Sequence, residues 1–571
     1  MDGTRRRWTT AAVIALMAVA YHAAPRGEFM WDDVPLIVDD ARLGAWSNAG
    51  EIAASPFWSQ HASQITENYR QVYRPVVGLA YLAQWQLFGS PVGFHMVSLV
   101  LHTLCIWLLG GWLTRRVPAI SGVALFAGLA VFALHPSRVE SVAWISGSTD
   151  LWMTSFVLLA CSFWARRDAT WRAVLAGLWL GLAILSKEPA VVVPALWLLD
   201  GLVLEGDAPL LHPWLIASGT AALFLGVRLA IVPLSLGGGD ETLLATAHRA
   251  IATLGQYVLR VVYPWPQTAF PALRLAGEDG FESGQTAGFV MGCVVLFGLL
   301  GLGYAAARRH RVRGFFCDAM WFVVPLVPTL NIHDTNAVSL VSDRMLYLPM
   351  VGVAAMISRA LSAERLGFRA KVLAVVLAVL GIGLTVAHVS HFRSARALWE
   401  HELAINPSNL SALETLAEIS STEGDYRDAF LLCQRGYEEA FRMRVGGRGI
   451  RFALCQTRAL LALTPDGDAD TLNMIREVYD RLFATGMLEA NADVLRFRVG
   501  VRPDQQPALL ADPETLLLPR ARAHLRTGHY ESALSQLDAI RKAFPDHPAA
   551  QQLRDDARNL VKRSGSQPRE P

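Results

Sequence analysis

Asp32 and Asp33 stand side by side in Met30-Trp31-Asp32-Asp33, just past the first long apolar stretch. Carboxylates at a membrane exit can ionise. In sugar transfer to a hydroxyl, one of them can take the acceptor's proton while the donor loses a phosphate. An isolated acid pair is more often a helix cap or an interfacial turn, since Asp is favoured in both. Other residues shift that balance. Arg74 follows in Tyr73-Arg74-Pro75. A second segment carries His135-Pro136-Ser137-Arg138-Val139-Glu140 and runs on through Trp144 and Gly147 to Asp150. Lys187 sits in Ser186-Lys187-Glu188-Pro189, and Asp343-Arg344 precedes Met345-Leu346-Tyr347-Leu348-Pro349. Arg74, Lys187 and Arg344 can hold a lipid phosphate by charge-assisted hydrogen bonds and stabilise the charge that grows on a leaving group. Each cation taken singly could instead snorkel to headgroups. If the 135–150 segment is helical, Glu140 and Trp144 share a face.

Residues so far apart in the chain can meet only if membrane helices bring them to one end of a bundle. Of the 571 residues, 53% are apolar and 18% charged, with positive mean hydropathy, as expected of a polytopic membrane protein. A bilayer core takes about 20 mostly apolar residues per helix, and eleven candidate stretches begin near residues 9, 93, 119, 151, 171, 189, 213, 284, 315, 345 and 370. The first follows Arg5-Arg6-Arg7 and reads as an uncleaved anchor, because ten more follow it. Arg5 to Arg7, Arg115-Arg116, Arg166-Arg167, the Arg308 to Arg313 cluster and Arg359 to Lys371 fall on alternate ends. The positive-inside rule makes those ends cytoplasmic. The exported segments are then 25–92, 135–150, 186–189, 236–283, 331–344 and everything after 391, with the N-terminus inside and the tail outside. A net charge of +2 with scattered arginines argues against nucleic acid. Six cysteines occur singly, so neither a zinc site nor a disulfide framework is indicated, although Cys433 and Cys455 can pair in an oxidising compartment.

The apolar runs stop near residue 391, and a charged, Ala- and Leu-rich helical tail follows. Ala412 to Leu416, then Gly424-Asp425-Tyr426 and Ala429, is repeated in kind by Ala521 to Leu525, Gly528-His529-Tyr530 and Ala533. This is tetratricopeptide-like spacing, and it predicts three to five stacked helix pairs that bind peptide or protein, or cap the membrane domain.

The motifs WDD, YRPVV, GFHMVSLVLH, ALHPSRVESVAWISGSTD, LSKEPAVVVPAL and SDRMLYLPMVG, in this order and joined to that tail, resemble the transmembrane and tetratricopeptide repeat-containing O-mannosyltransferases and their bacterial relatives. The resemblance implies an all-α chain: a C-type glycosyltransferase bundle of about eleven spans over 1–391, then a helical-repeat solenoid over 392–571, in a bacterial inner membrane. It also implies a polyprenyl-phosphate-linked sugar donor. By similarity, Asp32 or Asp33 is the catalytic base, with Asp33 slightly favoured, and Glu140 orients the acceptor or the donor sugar. His135, Arg138, Arg74, Lys187 and Arg344 would hold phosphate, and Trp31, Trp144, Asp150 and Tyr347 are candidate substrate contacts. Where the family commonly has Gly-Arg-x-Asp, this chain reads Gly147-Ser148-Thr149-Asp150, so a cation is missing that Arg138 could replace if it faces the site. Asp343 stands where glutamate or alanine is common.

The expected reaction transfers one hexose, mannose in the family, to a Ser or Thr hydroxyl of an exported protein presented by the tail. It needs no metal, although Asp32 and Asp33 can coordinate Mg²⁺ or Mn²⁺ through oxygen. Two alternatives keep the fold: transfer to a glycan or lipid in envelope polysaccharide assembly, and a catalytically silent scaffold whose tail recruits partners.

Overall fold

The computed structural model describes residues 2–61, 72–166, 169–205, 211–232, 243–264, 283–330, 341–362, 367–443, 446–463 and 548–564, with Leu534, Leu537 and Asp538. Among these residues there is helix and helical turn and no strand. The chain divides into two compact units, one running through His401 and the other beginning at Glu402.

Six helices of the first unit are long and apolar enough to cross a membrane: Gly3–Arg26, Pro91–Arg116, Leu211–Ile231, Thr286–Arg308, His310–Thr329 and Gly367–Arg393. A seventh span is possible where Gly122–Leu134 and Pro136–Ala143 meet at a 51° bend. Pro136 accounts for the bend, because it lacks an N–H and drives His135 out of the helical region, to ψ 131°. The other four apolar stretches do not make full-length helices. Thr149–Trp164, Thr170–Ile184 and Met350–Leu361 have 16, 15 and 12 residues, short of the roughly 20 that a bilayer takes. The stretch near residue 189 is broken by Pro189 and Pro194 into a 3-10 turn, Glu188–Val192, and an eight-residue helix, Val193–Asp200. Six helices, or seven with the bent pair, are thus long and apolar enough to span among the described residues, and the expected eleven are not confirmed.

Two helices occupy segments that the sequence marked only as exported loops. Pro75–Phe88 begins with proline at its first position and is closed by Gly89 at φ +58°. Leu243–Val262 follows the Leu211–Ile231 span. It packs along Ser283–Arg308 so tightly that a Cβ on Gly255 would lie 1.8 Å from the Gly288 carbonyl oxygen. Glycine at this crossing lets the two backbones touch.

A charged cluster ties the helix ends together at one side. Arg116 donates to Asp200 through both terminal nitrogens, at 2.7 and 2.9 Å, and to Asp318 through Nε at 2.6 Å. Arg359 donates to the other Asp318 oxygen at 2.6 Å, and the Trp321 indole donates to Asp200 at 2.9 Å. Arg6 and Arg115 belong to the same side, since each has a terminal nitrogen 3.6 Å from where a Cβ on Gly111 would be. The arginine-bearing ends that alternate along the sequence therefore gather in space. At the far end of the first helix, the Glu28 N–H donates to the Arg393 carbonyl at 3.1 Å, so the exits of the first and last long helices meet there.

In the second unit, Leu410–Thr422 and Tyr426–Arg442 form a helix pair. Asn409 and Asp425 cap their N-termini, and Gly424 makes the turn at φ +85°. Ala412, Ala417 and Ala429 are fully buried, as small residues at a helix crossing should be. Gly446–Leu463 adds Phe452 to the core beside Leu413 and Cys433, and Cys433 is disulfide-bonded to Cys455. The second copy of the repeat pattern, from Ala521 to Ala533, lies outside the described residues.

Asp318 is fully buried between two guanidiniums. Asp318→Ala leaves Arg359 without this partner and is expected to cost about 3–5 kcal/mol. Thermal unfolding in detergent checks this: a midpoint equal to that of the unsubstituted protein would show the cluster to be dispensable.

Candidate active site

Every residue from Pro136 to Asp150 is buried. Connections between helices normally run over the surface, because a buried one must find partners for its polar groups. Here the partners are the other candidate site residues.

Glu140 lies in the short helix Val139–Ala143. It accepts the Arg344 backbone N–H at 2.9 Å on one oxygen and the Arg344 guanidinium at 3.0 Å on the other. The helix stops at Ala143, and Trp144 is extended, so Glu140 and Trp144 do not share a helical face as the spacing suggested. They converge on Arg344 by another route, because its guanidinium lies 5.0 Å from the Trp144 ring centroid. Asp150 accepts the Lys187 ammonium at 2.6 Å, with both side chains buried.

Asp33 is held from the same segment. Ser146 donates both its N–H, at 2.7 Å, and its hydroxyl to one Asp33 oxygen, while the Met30 N–H donates to the other at 3.1 Å. Trp31 has φ +49°, a left-handed conformation rare outside glycine that costs on the order of 1–3 kcal/mol. Its ring is braced on Trp144, stacked at 4.9 Å, and on Trp399, edge-on at 5.8 Å. This turn sends the two aspartates to different environments. Asp33 is fully buried with three donors, whereas Asp32 is partly exposed and its carboxylate accepts no hydrogen bond among the described residues. Burial raises the Asp32 carboxyl to about 6, against the lowering effect of the Arg344 and Arg74 guanidiniums nearby. Burial pushes Asp33 to about 7 even though Ser146 and Met30 favour its ionised form.

The three candidate phosphate cations each carry a carboxylate partner: Arg344 with Glu140, Lys187 with Asp150, and Arg74 with Glu188 at 3.0 Å. The Lys187 side chain is sealed, while those of Arg74 and Arg344 are 19% and 23% exposed. Three other expected contacts face inward. Arg138 is fully buried over the Tyr347 ring, 4.9 Å from its centroid, and bonds Ser137 at 2.9 Å, so it does not stand in for the cation missing at Ser148. Tyr347 is itself core, with its hydroxyl 2.6 Å from His102 Nδ1. The other His102 nitrogen lies 3.2 Å from the Ala133 carbonyl, which makes Nε2 the donor and Nδ1 the acceptor from tyrosine. His135 has one ring nitrogen on Ser137 and the other on the Val261 carbonyl.

Glu188, Ser146 and Trp399 belong to this constellation but were not singled out in the sequence as site residues. Glu188 adjoins Lys187 and could have been noticed as a ready counter-ion. Ser146 follows no spacing rule, and Trp399 lies past the last apolar stretch.

Among known proteins, protein O-mannosyl-transferase F38B6.6 of Caenorhabditis elegans is 24% identical over 459 residues, 76% of this chain and 62% of that protein. Protein O-mannosyl-transferase TMTC4 of Homo sapiens is 26% identical over 468 residues, covering 70% of this chain and 62% of its own. This chain is similar to protein O-mannosyl-transferases over about 70% of its length. A shorter alignment with protein O-mannosyl-transferase TMTC1 of Mus musculus is 34% identical over 160 residues, 26% of this chain and 16% of that one. The chain thus spans less than two thirds of the length of these two O-mannosyl-transferases. No protein-family model matches it, and no solved structure does.

Folded Asp33 keeps its proton up to about pH 7, whereas an unfolded aspartate loses it near 3.9. The stability this contributes is present at acid pH and is lost as pH rises through 7. Melting points of the unsubstituted protein and Asp33→Asn, compared from pH 5 to 8, should therefore diverge, with the unsubstituted protein losing ground as pH rises. Parallel curves would mean that Asp33 is ionised throughout.

Proposed function

We propose that this chain transfers a hexose, mannose by analogy with its relatives' names, from a polyprenyl phosphate to a Ser or Thr hydroxyl of an exported protein. The observation that carries the reading is Asp32: a partly exposed carboxylate with no hydrogen bond among the described residues and two partly exposed guanidiniums, Arg74 and Arg344, within electrostatic reach. Asp33, sealed by three donors, positions the turn, and the base assignment moves to its neighbour. In the reaction, Asp32 takes the acceptor's hydroxyl proton as that oxygen bonds to the anomeric carbon. The bond from that carbon to the phosphate oxygen breaks on the opposite side, and its electron pair leaves with the phosphate. Direct displacement inverts the configuration of a β-linked donor. Arg344 and Arg74 meet the charge that develops on the phosphate. Glu140 and Glu188 hold these guanidiniums before the donor arrives, so little reorganisation is left for the moment of reaction. Lys187 and Arg138, being buried, support the site from behind.

A divalent ion does not fit the acid pair well. Asp33's oxygens already accept three hydrogen bonds, and among the described residues no three His, Cys, Asp or Glu side chains group to hold a metal. The orientation we favour puts the arginine-bearing helix ends in the cytoplasm. Asp32 and the tail then face the other side, where the acceptor is met and where the Cys433–Cys455 disulfide can form. The tail's helix pairs would present the acceptor protein.

Membranes carrying the chain, given polyprenyl-phosphate mannose with a labelled sugar, should label protein. Asp32→Asn should lower the rate by about 10²–10⁴. Because Asp32 titrates near 6, kcat/KM should fall about tenfold per pH unit below that value. Label confined to lipid or polysaccharide would change the acceptor, and full activity in Asp32→Asn would remove the base.

A further inference from the structure

The helix Leu243–Val262 touches the site from one turn near its end. The Arg260 guanidinium pairs with Asp343, and both side chains are largely buried, at 14% and 6% exposure. The next residue offers its carbonyl to His135 Nε2 at 3.1 Å. Tyr257, one turn earlier and fully enclosed, has its hydroxyl hydrogen-bonded at Ser342. These contacts reach both parts of the site: the start of the buried connection, at His135, and the 3-10 turn Asp343–Leu346 that carries Arg344.

Asp343 and Arg344 are consecutive, and Glu140 lies close enough to Asp343 to feel its charge. Two carboxylates therefore compete for cations at this turn. With Arg260 on Asp343, Arg344 can serve Glu140 through both its backbone N–H and its guanidinium. Without Arg260, a buried and unpaired Asp343 would compete with Glu140 for the guanidinium of the next residue, Arg344, and the turn would lose its anchor on one side.

We propose that Arg260 is a positioning residue: by neutralising Asp343 it keeps Arg344 on Glu140, over Trp144 and beside Asp32. Its use in holding the donor phosphate rests on the transferase reading above, but the pairing itself does not. An amphipathic helix in an exported segment thereby becomes part of the reacting centre's support.

Two measurements on the full-length protein separate these statements. Hydrogen exchange of the peptide covering residues 342–347 should speed in Arg260→Gln, as the Arg344 N–H loses its fixed acceptor. It should return towards the unsubstituted rate in Arg260→Gln/Asp343→Asn, where no unpaired acid remains, and in Arg260→Lys. In the mannose transfer assay, Arg260→Gln should raise KM for the polyprenyl-phosphate donor about tenfold or more and leave KM for the acceptor unchanged, with the double variant recovering most of the loss. Unchanged exchange in Arg260→Gln, or a double variant no better than the single, overturns the proposal whether or not sugar is transferred. Altered exchange in a protein that transfers nothing would uphold the pairing and overturn the donor reading.

Discussion

A connection of fifteen residues, Pro136 to Asp150, is buried inside the membrane unit, and its polar groups have to be satisfied there. Nearly everything at the candidate site follows from that requirement. Glu140 draws in Arg344, Ser146 draws in Asp33, and Asp150 draws in Lys187. These partners come from segments more than a hundred residues apart in several cases, and each would be costly to bury alone. The segment therefore sets the relative places of the acids and cations, and the long helices serve chiefly to deliver them.

The same electrostatics divide the site into a sealed part and an open part. Asp33, Lys187 and Arg138 have little or no surface, while Asp32, Arg74 and Arg344 keep some. Adjacent aspartates meet different surroundings because Trp31 takes a left-handed turn, braced by its packing on two other indoles. Strain at one backbone position is exchanged for one acid facing inward and one facing out.

Much of this could be read from residue types and order. The apolar stretches showed a membrane bundle, the alternating arginines anticipated which helix ends would cluster, and the motif residues proved to share one end of the fold. The number of spans was not readable, because a run of apolar residues says nothing of a proline bend such as Pro136 or of a helix that stops after 12 residues, as Met350–Leu361 does. The helix over 243–262 gives no apolar run in the sequence, because its apolar positions are spaced by helical turns. Which aspartate faces outward was beyond any spacing rule, since neighbours in a turn are separated by one backbone angle. Pairing between cations and acids was also hidden, because Arg74 and Glu188, or Arg260 and Asp343, meet only once the helices are assembled.

Trp399 sits beyond the last long helix, in the segment Ala395–Ile405 that leads into the repeats, yet its indole supports the turn at Trp31. The boundary between the first unit and the repeat tail therefore does not fall where the long apolar helices stop. A chimera joining this bundle to a foreign tail must splice after these residues; an earlier graft would remove a wall of the turn while leaving every charged side chain in place.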